Sequence, residues 1–303
     1  ASDALAEREC QGKVRDGHGD LHLRNLVLFG DRPRAFDCIE FNDEFRCIDV
    51  LNDVAFLVMD CEAQNIMGAG YRFLSRYLEH TGDHAGLGLL PLFLFYRATV
   101  RAKVACLQAD QQQQRCSLID EARAYFMLAS SYIEQPTPRC YAVGGLSGSG
   151  KSHLAIKACD RRRTVVIRSD ATRKRLAKTR ADLPLYGERM TELTYQQMIE
   201  DAVMAARAGF DVVMDATFLE RAWRDLARER FRQHGLPLQF FWLDLPEDTL
   251  RKRIEQRMAA RRDVSDADLS VLDMQLERYS RPEESDIRFL HSSDAWPGTE
   301  QDR

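Results

Sequence analysis

The spacing of apolar residues changes about halfway along the chain. Between residues 49 and 135 they recur at intervals of three and four, in DVLNDVAFLVMD, YRFLSRYLEH, LFLFYRATVRAKVACLQA and DEARAYFMLASSYIEQ, which predicts helices. From residue 140 short apolar runs, CYAVGG, TVVIRSD, FDVVMDATF and LQFFWLDL, alternate with amphipathic stretches such as MTELTYQQMIEDAVMAARAG, ERAWRDLARERFRQHG and EDTLRKRIEQRMAARR. IRFLH near the end reads as a last strand. Apolar strands alternating with helices predict an α/β domain, a parallel sheet covered on both faces. Before residue 49 a short polar helix is expected, then NLVLFG and RAFDCIEF as two strands joined by a turn at GDRP. QPTPR at 135–139 stops the helical part, so the predicted division is residues 1–136, mostly helical, and 137–303, α/β.

Composition narrows this picture little. The 303 residues are 45% hydrophobic and 30% charged, a globular balance. A formal charge of −4 gives no overall pull toward nucleic acid or an anionic membrane. The opening ASDALAERE lacks the apolar core of a signal peptide, and GLGLLPLFLFY at 86–96 is too short to span a bilayer, so no membrane partner is expected. That run reads as the start of a buried helix. The eight cysteines are scattered without a C-x-x-C pair, which points to reduced thiols in a cytoplasm. QQQQ at 111–114 reads as solvated helix or a connecting turn.

The strongest chemical signal is GLSGSGKS at 145–152, the pattern G-x-x-x-x-G-K-[ST] between a predicted strand and a predicted helix. Gly145, Gly148 and Gly150 allow the tight path in which backbone N–H groups, those of Ser147 and Ser149 among them, converge on a phosphate. The helix N-terminus adds its positive end. Lys151 reaches the β- and γ-phosphates, and the Ser152 hydroxyl can ligate Mg²⁺. Parallel sheets bind ligands at their carboxyl ends. There stand Asp170, with Arg173 one turn on, and Asp215, followed by Thr217. Either carboxylate can accept a hydroxyl proton or hold Mg²⁺ through water, and either can instead cap the following helix. Arg253, Arg257 and Arg261 recur every four residues and can share a helix face, as a lid over ATP or as a solvated basic face.

GLSGSGKS, RSDATRKRLA, DVVMDATFLERAWR and RIEQRMAARRDVSDAD together resemble the P-loop kinase group of polynucleotide 5′-hydroxyl kinase, gluconate kinase and the zeta-toxin kinases, and the stand-alone kinase-like ATP-binding domains of AAA-family type. The resemblance implies Asp170 as general base, Arg173 as a substrate-orienting group, Asp215 as an organiser of the site, and Arg257 or Arg261 as a lid arginine.

GHGDLHLRN at 17–25 resembles the catalytic loop of aminoglycoside phosphotransferases and choline-kinase-like proteins. That resemblance implies Asp20 as base, Asn25 as a Mg²⁺ ligand and Asp37 in AFDCIE as a second one, with CIDVLNDVAFL, holding Asp49 and Asp53, as the helix start that follows. The alternatives are a plain turn and strand, or zinc held by His18, Asp20 and His22, for which no further ligand cluster is present in the sequence. Only seventeen residues precede His18, too few for the ATP-gripping lobe of that family. The expectation is therefore a fragment or degenerate kinase lobe, with no phosphotransfer from Asp20. The two parts together resemble a bacterial fusion of the two families. The expected function is ATP- and Mg²⁺-dependent phosphorylation of a hydroxyl on a small molecule. A polynucleotide acceptor is less favoured because RRR at 161–163 and RKR at 173–175 lack interleaved aromatics. An ATP-binding switch protein and an aminoglycoside-resistance role are the alternatives; oligomeric state is left open.

Overall fold

The computed structural model describes residues 2–111, 115–134, 136–260, 269–293 and 295–298. The chain forms two compact units, Ala1–Leu74 with Ala85–Pro136, and Ser75–His84 with Thr137–Arg303. Among the described residues no helix is long and apolar enough to cross a membrane. Among the described residues no cysteine forms a disulfide.

In the first unit α1 (Ser2–Cys10) leads to β1 (Val14–Asp16), a 3₁₀ turn at Leu23–Asn25, and the antiparallel hairpin of β2 (Leu26–Phe29) and β3 (Arg32–Ala35). The expected second strand, RAFDCIEF, is shorter and earlier than its apolar content suggests. It ends at Ala35, because Asp37 turns the chain into the left-handed region at φ 59°. After α2 (Asp43–Arg46), β4 (Cys47–Asp49) pairs antiparallel with β1. Then come α3 (Val50–Ala63), α4 (Met67–Thr81), α5 (Leu90–Gln111) and α6 (Arg115–Ser130). Asp49 caps α3 by accepting the Leu51 N–H at 2.9 Å, and its carboxylate takes a buried fork from Arg8. Pro91 falls in the first turn of α5, where its missing N–H costs no helix bond.

In the second unit the strands are β5 (Cys140–Gly145), β6 (Thr164–Arg168), β7 (Asp211–Asp215), β8 (Leu238–Leu243) and β9 (Ile287–Leu290). Among the described residues they form one parallel sheet in the order β6-β7-β5-β8-β9. The helices are α7 (Lys151–Ala158), α8 (Ser169–Ala177), α9 (Glu188–Arg207), α10 (Arg221–Gln233), α11 (Glu247–Ala260) and α12 (Leu269–Arg278). β5 and β7 are buried along their whole length, which is why they read as unbroken apolar runs. Strand order departs from chain order around β5, so a crevice opens at its carboxyl end, where the P-loop lies.

Residues 75–84, counted with the first part in the sequence, group with the second unit for a visible reason. The edge strand β6 has a free N–H at Val166, and Ser75 Oγ accepts it at 3.0 Å. Arg168 pairs with Glu79, and Arg175 donates to Leu78 O at 3.3 Å.

Candidate active site

The loop from Gly145 to Gly150 takes the path its glycines permit. Gly148 and Gly150 have φ 81° and 94°, in the left-handed region. A Cβ on Gly148 would lie 2.7 Å from Leu250 O, so side chains are excluded there by backbone as well as by φ. α7 starts at Lys151 directly after this turn, so the first N–H groups of the helix adjoin the loop. The loop fits a phosphate chain on these grounds.

Lys151 Nζ donates to Leu146 O at 2.8 Å and lies 3.5 Å from Ser149 Oγ. Burial pushes its ammonium below the ordinary lysine range, while Asp215 and Asp170 pull it back up. Ser152 Oγ donates to Asp215 Oδ2 at 2.6 Å. Burial likewise pushes the Asp215 carboxyl up, against the pull of Lys151 and the Ser152 hydrogen bond. A hydroxyl in the first turn of α7 beside a carboxylate at the end of β7 fits a hard, oxygen-seeking cation such as Mg²⁺.

These groups share one cleft of about 400 Å³ with Asp170, Arg173, Thr217 and Arg257. Most sequence-predicted residues of the second unit are thus brought together. Ser149 is fully buried and takes Arg253 NH1 on its carbonyl oxygen at 3.0 Å, so at least one arginine of the basic helix is no solvated face. Arg261 lies outside the described residues. Thr217 braces the loop: its carbonyl accepts the Gly145 N–H at 3.1 Å, and its hydroxyl lies 3.2 Å from Tyr195 OH. Arg173 is aimed by the segment after α8, donating to Leu185 O at 3.2 Å and Thr191 Oγ1 at 3.1 Å. Its guanidinium lies 5.6 Å from the Tyr186 ring centre. The aromatic neighbour missing from the sequence around 173–175 is therefore supplied in space by Tyr186.

Several cleft residues had no sequence signal. Tyr195 and Trp223 stack at 4.9 Å and line the cleft. Gln275 on α12 accepts the Ser147 N–H at 2.9 Å. Arg168, the last residue of β6, also lines the cleft.

In the first unit the motif 17–25 is built around Asp53. Its carboxylate accepts the N–H groups of His18 at 2.7 Å and Gly19 at 2.9 Å, and Arg97 donates to Gly19 O at 2.9 Å. Asn25 Nδ2 donates to Asp20 Oδ2 at 3.1 Å, and His22 Nε2 lies 3.3 Å from the same oxygen. The His22 hydrogen bond foremost holds the Asp20 carboxyl below its ordinary range, against burial. The N–H of Phe36 reaches Asn25 O at 3.0 Å, which brings the backbone before Asp37 beside Asn25; Asp37 itself is exposed. The His18 ring bridges backbone, with Nδ1 accepting the Asp20 N–H at 3.3 Å and Nε2 2.9 Å from Phe36 O. Among the described residues no group of three or more His, Cys, Asp or Glu side chains is arranged to hold a metal.

Comparison with known proteins adds the following. Uncharacterized proteins of Mycobacterium tuberculosis and Mycobacterium bovis are each 30% identical over 269 residues, 86% of this chain and 54% of theirs. The chain thus spans about half the length of the curated relatives it matches. A gluconokinase of Sinorhizobium meliloti is 25% identical, covering 51% of this chain and 82% of its own, with a TM-score of 0.37. The Mycobacterium tuberculosis APS kinase, solved with AMPPNP and APS, is 23% identical, covering 52% and 92%, with a TM-score of 0.42. Residues 141–282, which carry the P-loop, Asp170, Asp215 and Arg257, match the family model described as an AAA domain.

Proposed function

We propose that the second unit is an ATP- and Mg²⁺-dependent phosphotransferase acting on a hydroxyl acceptor, a small molecule. One observation carries this reading: the glycine-shaped loop, Lys151, the Ser152–Asp215 pair and Asp170 line a single cleft at the carboxyl ends of the sheet. Backbone N–H groups and Lys151 would hold the phosphates, and Ser152 with Asp215 would hold Mg²⁺, which when bound neutralises charge on the phosphates. Asp170 takes the proton of the acceptor hydroxyl as its oxygen attacks the γ-phosphorus and ADP leaves. Arg257 faces the same space and offsets the developing negative charge. Arg173 and the Tyr195–Trp223 pair orient the acceptor. A cleft of about 400 Å³ that must also hold phosphates favours a small acceptor.

The first unit supports a relationship to the aminoglycoside phosphotransferases through the Asp20–Asn25 pair and the Asp53-anchored loop. The chain's phosphate chemistry is assigned to the P-loop cleft, not to Asp20. The test is incubation of the full chain with γ-labelled ATP and a panel of sugars, aminoglycosides and 5′-hydroxyl oligonucleotides. Labelled sugar or aminoglycoside that disappears in Lys151→Ala supports the reading. A labelled oligonucleotide moves the acceptor to nucleic acid. Tight ATP binding with no labelled acceptor favours an ATP-binding switch.

A further inference from the structure

Arg168 stands opposite Asp215 in the β6–β7 register, on the side of Asp215 away from the P-loop. Its Nε and NH2 are gripped by the two carboxylate oxygens of Glu79 at 2.5 and 3.0 Å. The pair is largely buried, with side chains 12% and 8% exposed. Glu79 lies 89 residues upstream, in the segment 75–84 that belongs to the same compact unit. Arg76, half-exposed one turn earlier, also reaches Glu79 Oε2 at 2.6 Å.

A buried ion pair is a poor device for stability, since desolvating two charges offsets much of their attraction. The edge of β6 does not need it, because Ser75 already satisfies the Val166 N–H. What a two-point grip on a guanidinium does provide is a fixed plane and direction. The guanidinium so fixed belongs to a residue that lines the cleft between Asp170 and Asp215.

We propose that Glu79 is a positioning residue for phosphoryl transfer, fixing Arg168 in the cleft wall so that its guanidinium meets the terminal phosphate of the nucleotide. The inference rests on the phosphotransferase reading above. Glu79 touches no reacting atom and acts through Arg168 alone.

The test is calorimetric binding of AMPPNP and of ADP, each with Mg²⁺, to the full chain. The readout is the ratio of the two affinities, which isolates contacts to the terminal phosphate. Wild type favours AMPPNP. Arg168→Gln lowers the ratio about tenfold, the scale of one charge-assisted hydrogen bond. Glu79→Gln lowers it to within twofold of that value, and the double variant falls no further than Arg168→Gln alone. Glu79→Asp, which keeps the carboxylate, restores part of the ratio. Ser75→Ala serves as the structural control: its melting temperature drops while the ratio stays at the wild-type value. Should Glu79→Gln fail to fold, Arg168→Lys, which keeps the charge and loses the fork, carries the comparison with Glu79→Asp. An unchanged ratio in the Glu79 variants, additive effects in the double variant, or no preference for AMPPNP in wild type overturns the positioning role. Failure of wild type to bind either nucleotide overturns the phosphotransferase reading, and this inference with it.

Discussion

Glu284→Gln tests the electrostatics that hold the turn between β7 and α10 in the wall of the cleft. Arg224 is buried at 4% exposure and donates to Phe218 O and Leu219 O, both at 2.8 Å, and to Glu284 Oε1 at 2.7 Å. It thereby pins the turn that follows Thr217, where Phe218 is held at φ 48°. Burial alone would raise the Glu284 carboxyl, but the Arg224 hydrogen bond, a backbone N–H and the charges of Arg224 and Arg228 outweigh it and take the pKa from 4.5 down to about 2. At 1.36 kcal/mol per unit, the ionised carboxylate gains roughly 3 kcal/mol from Arg224, Arg228 and the local backbone N–H together. The sign follows from the direction. A carboxyl lowered on folding stabilises fully above its unfolded value, and that stabilisation is lost as pH falls from about 4.5 toward 2. Glu284→Gln is therefore expected to cost about 3 kcal/mol at pH 7, and the gap to wild type should close progressively below pH 4.5. The assay is urea unfolding at a series of pH values, followed by tryptophan fluorescence. All three tryptophans, 223, 242 and 296, lie in the second unit, so the signal reports that unit alone. A gap that is absent at neutral pH, or that stays constant down to pH 2, refutes the reasoning.

Further outcomes are expected. Asp170→Asn should retain nucleotide affinity within about threefold and lose acceptor labelling, since one general base contributes about 10²–10⁴-fold; calorimetry and the γ-label assay read the two separately. Gly148→Ala should cost about 1–2 kcal/mol for the left-handed backbone alone. The overlap with Leu250 O adds to that, and a lower melting temperature with at least tenfold weaker nucleotide binding is the readout. Asp53→Ala should free the His18 and Gly19 amides, about 3 kcal/mol of local stability for two bonds to a charged acceptor. Hydrogen exchange over residues 17–25 checks it, with nucleotide binding unaffected.

What was legible in the sequence was local. The P-loop announces itself because its glycines, lysine and serine are contiguous, and its flanking strand and helix are too. The parallel sheet was legible because strands covered on both faces need unbroken apolar runs. Asp170, Arg173, Asp215 and Thr217 could be placed near the loop because strand ends converge there. The supports of the site were not legible, since each is made across a long stretch of chain. Gln275 meets Ser147 across 128 residues, Tyr195 meets Thr217 across 22, and Glu79 meets Arg168 across 89. The last contact also explains why residues 75–84 looked like the end of one more amphipathic helix. Their buried face carries Ser75 and Glu79, polar groups that only an edge strand and an arginine make useful. In the first unit the motif 17–25 was visible, but its anchor Asp53 lies 35 residues on, and the turn at Asp37 is set by backbone conformation that composition does not reveal.

Where nucleotide binds decides most directly between the P-loop cleft and Asp20. Equilibrium binding of AMPPNP with Mg²⁺ should be measured for wild type, Lys151→Ala and Asp20→Ala of the full chain. Saturable binding in wild type, weakened at least tenfold in Lys151→Ala and unchanged in Asp20→Ala, is the predicted result. Binding that survives in Lys151→Ala, or that is lost in Asp20→Ala, would contradict the assignment of phosphate chemistry to the P-loop cleft.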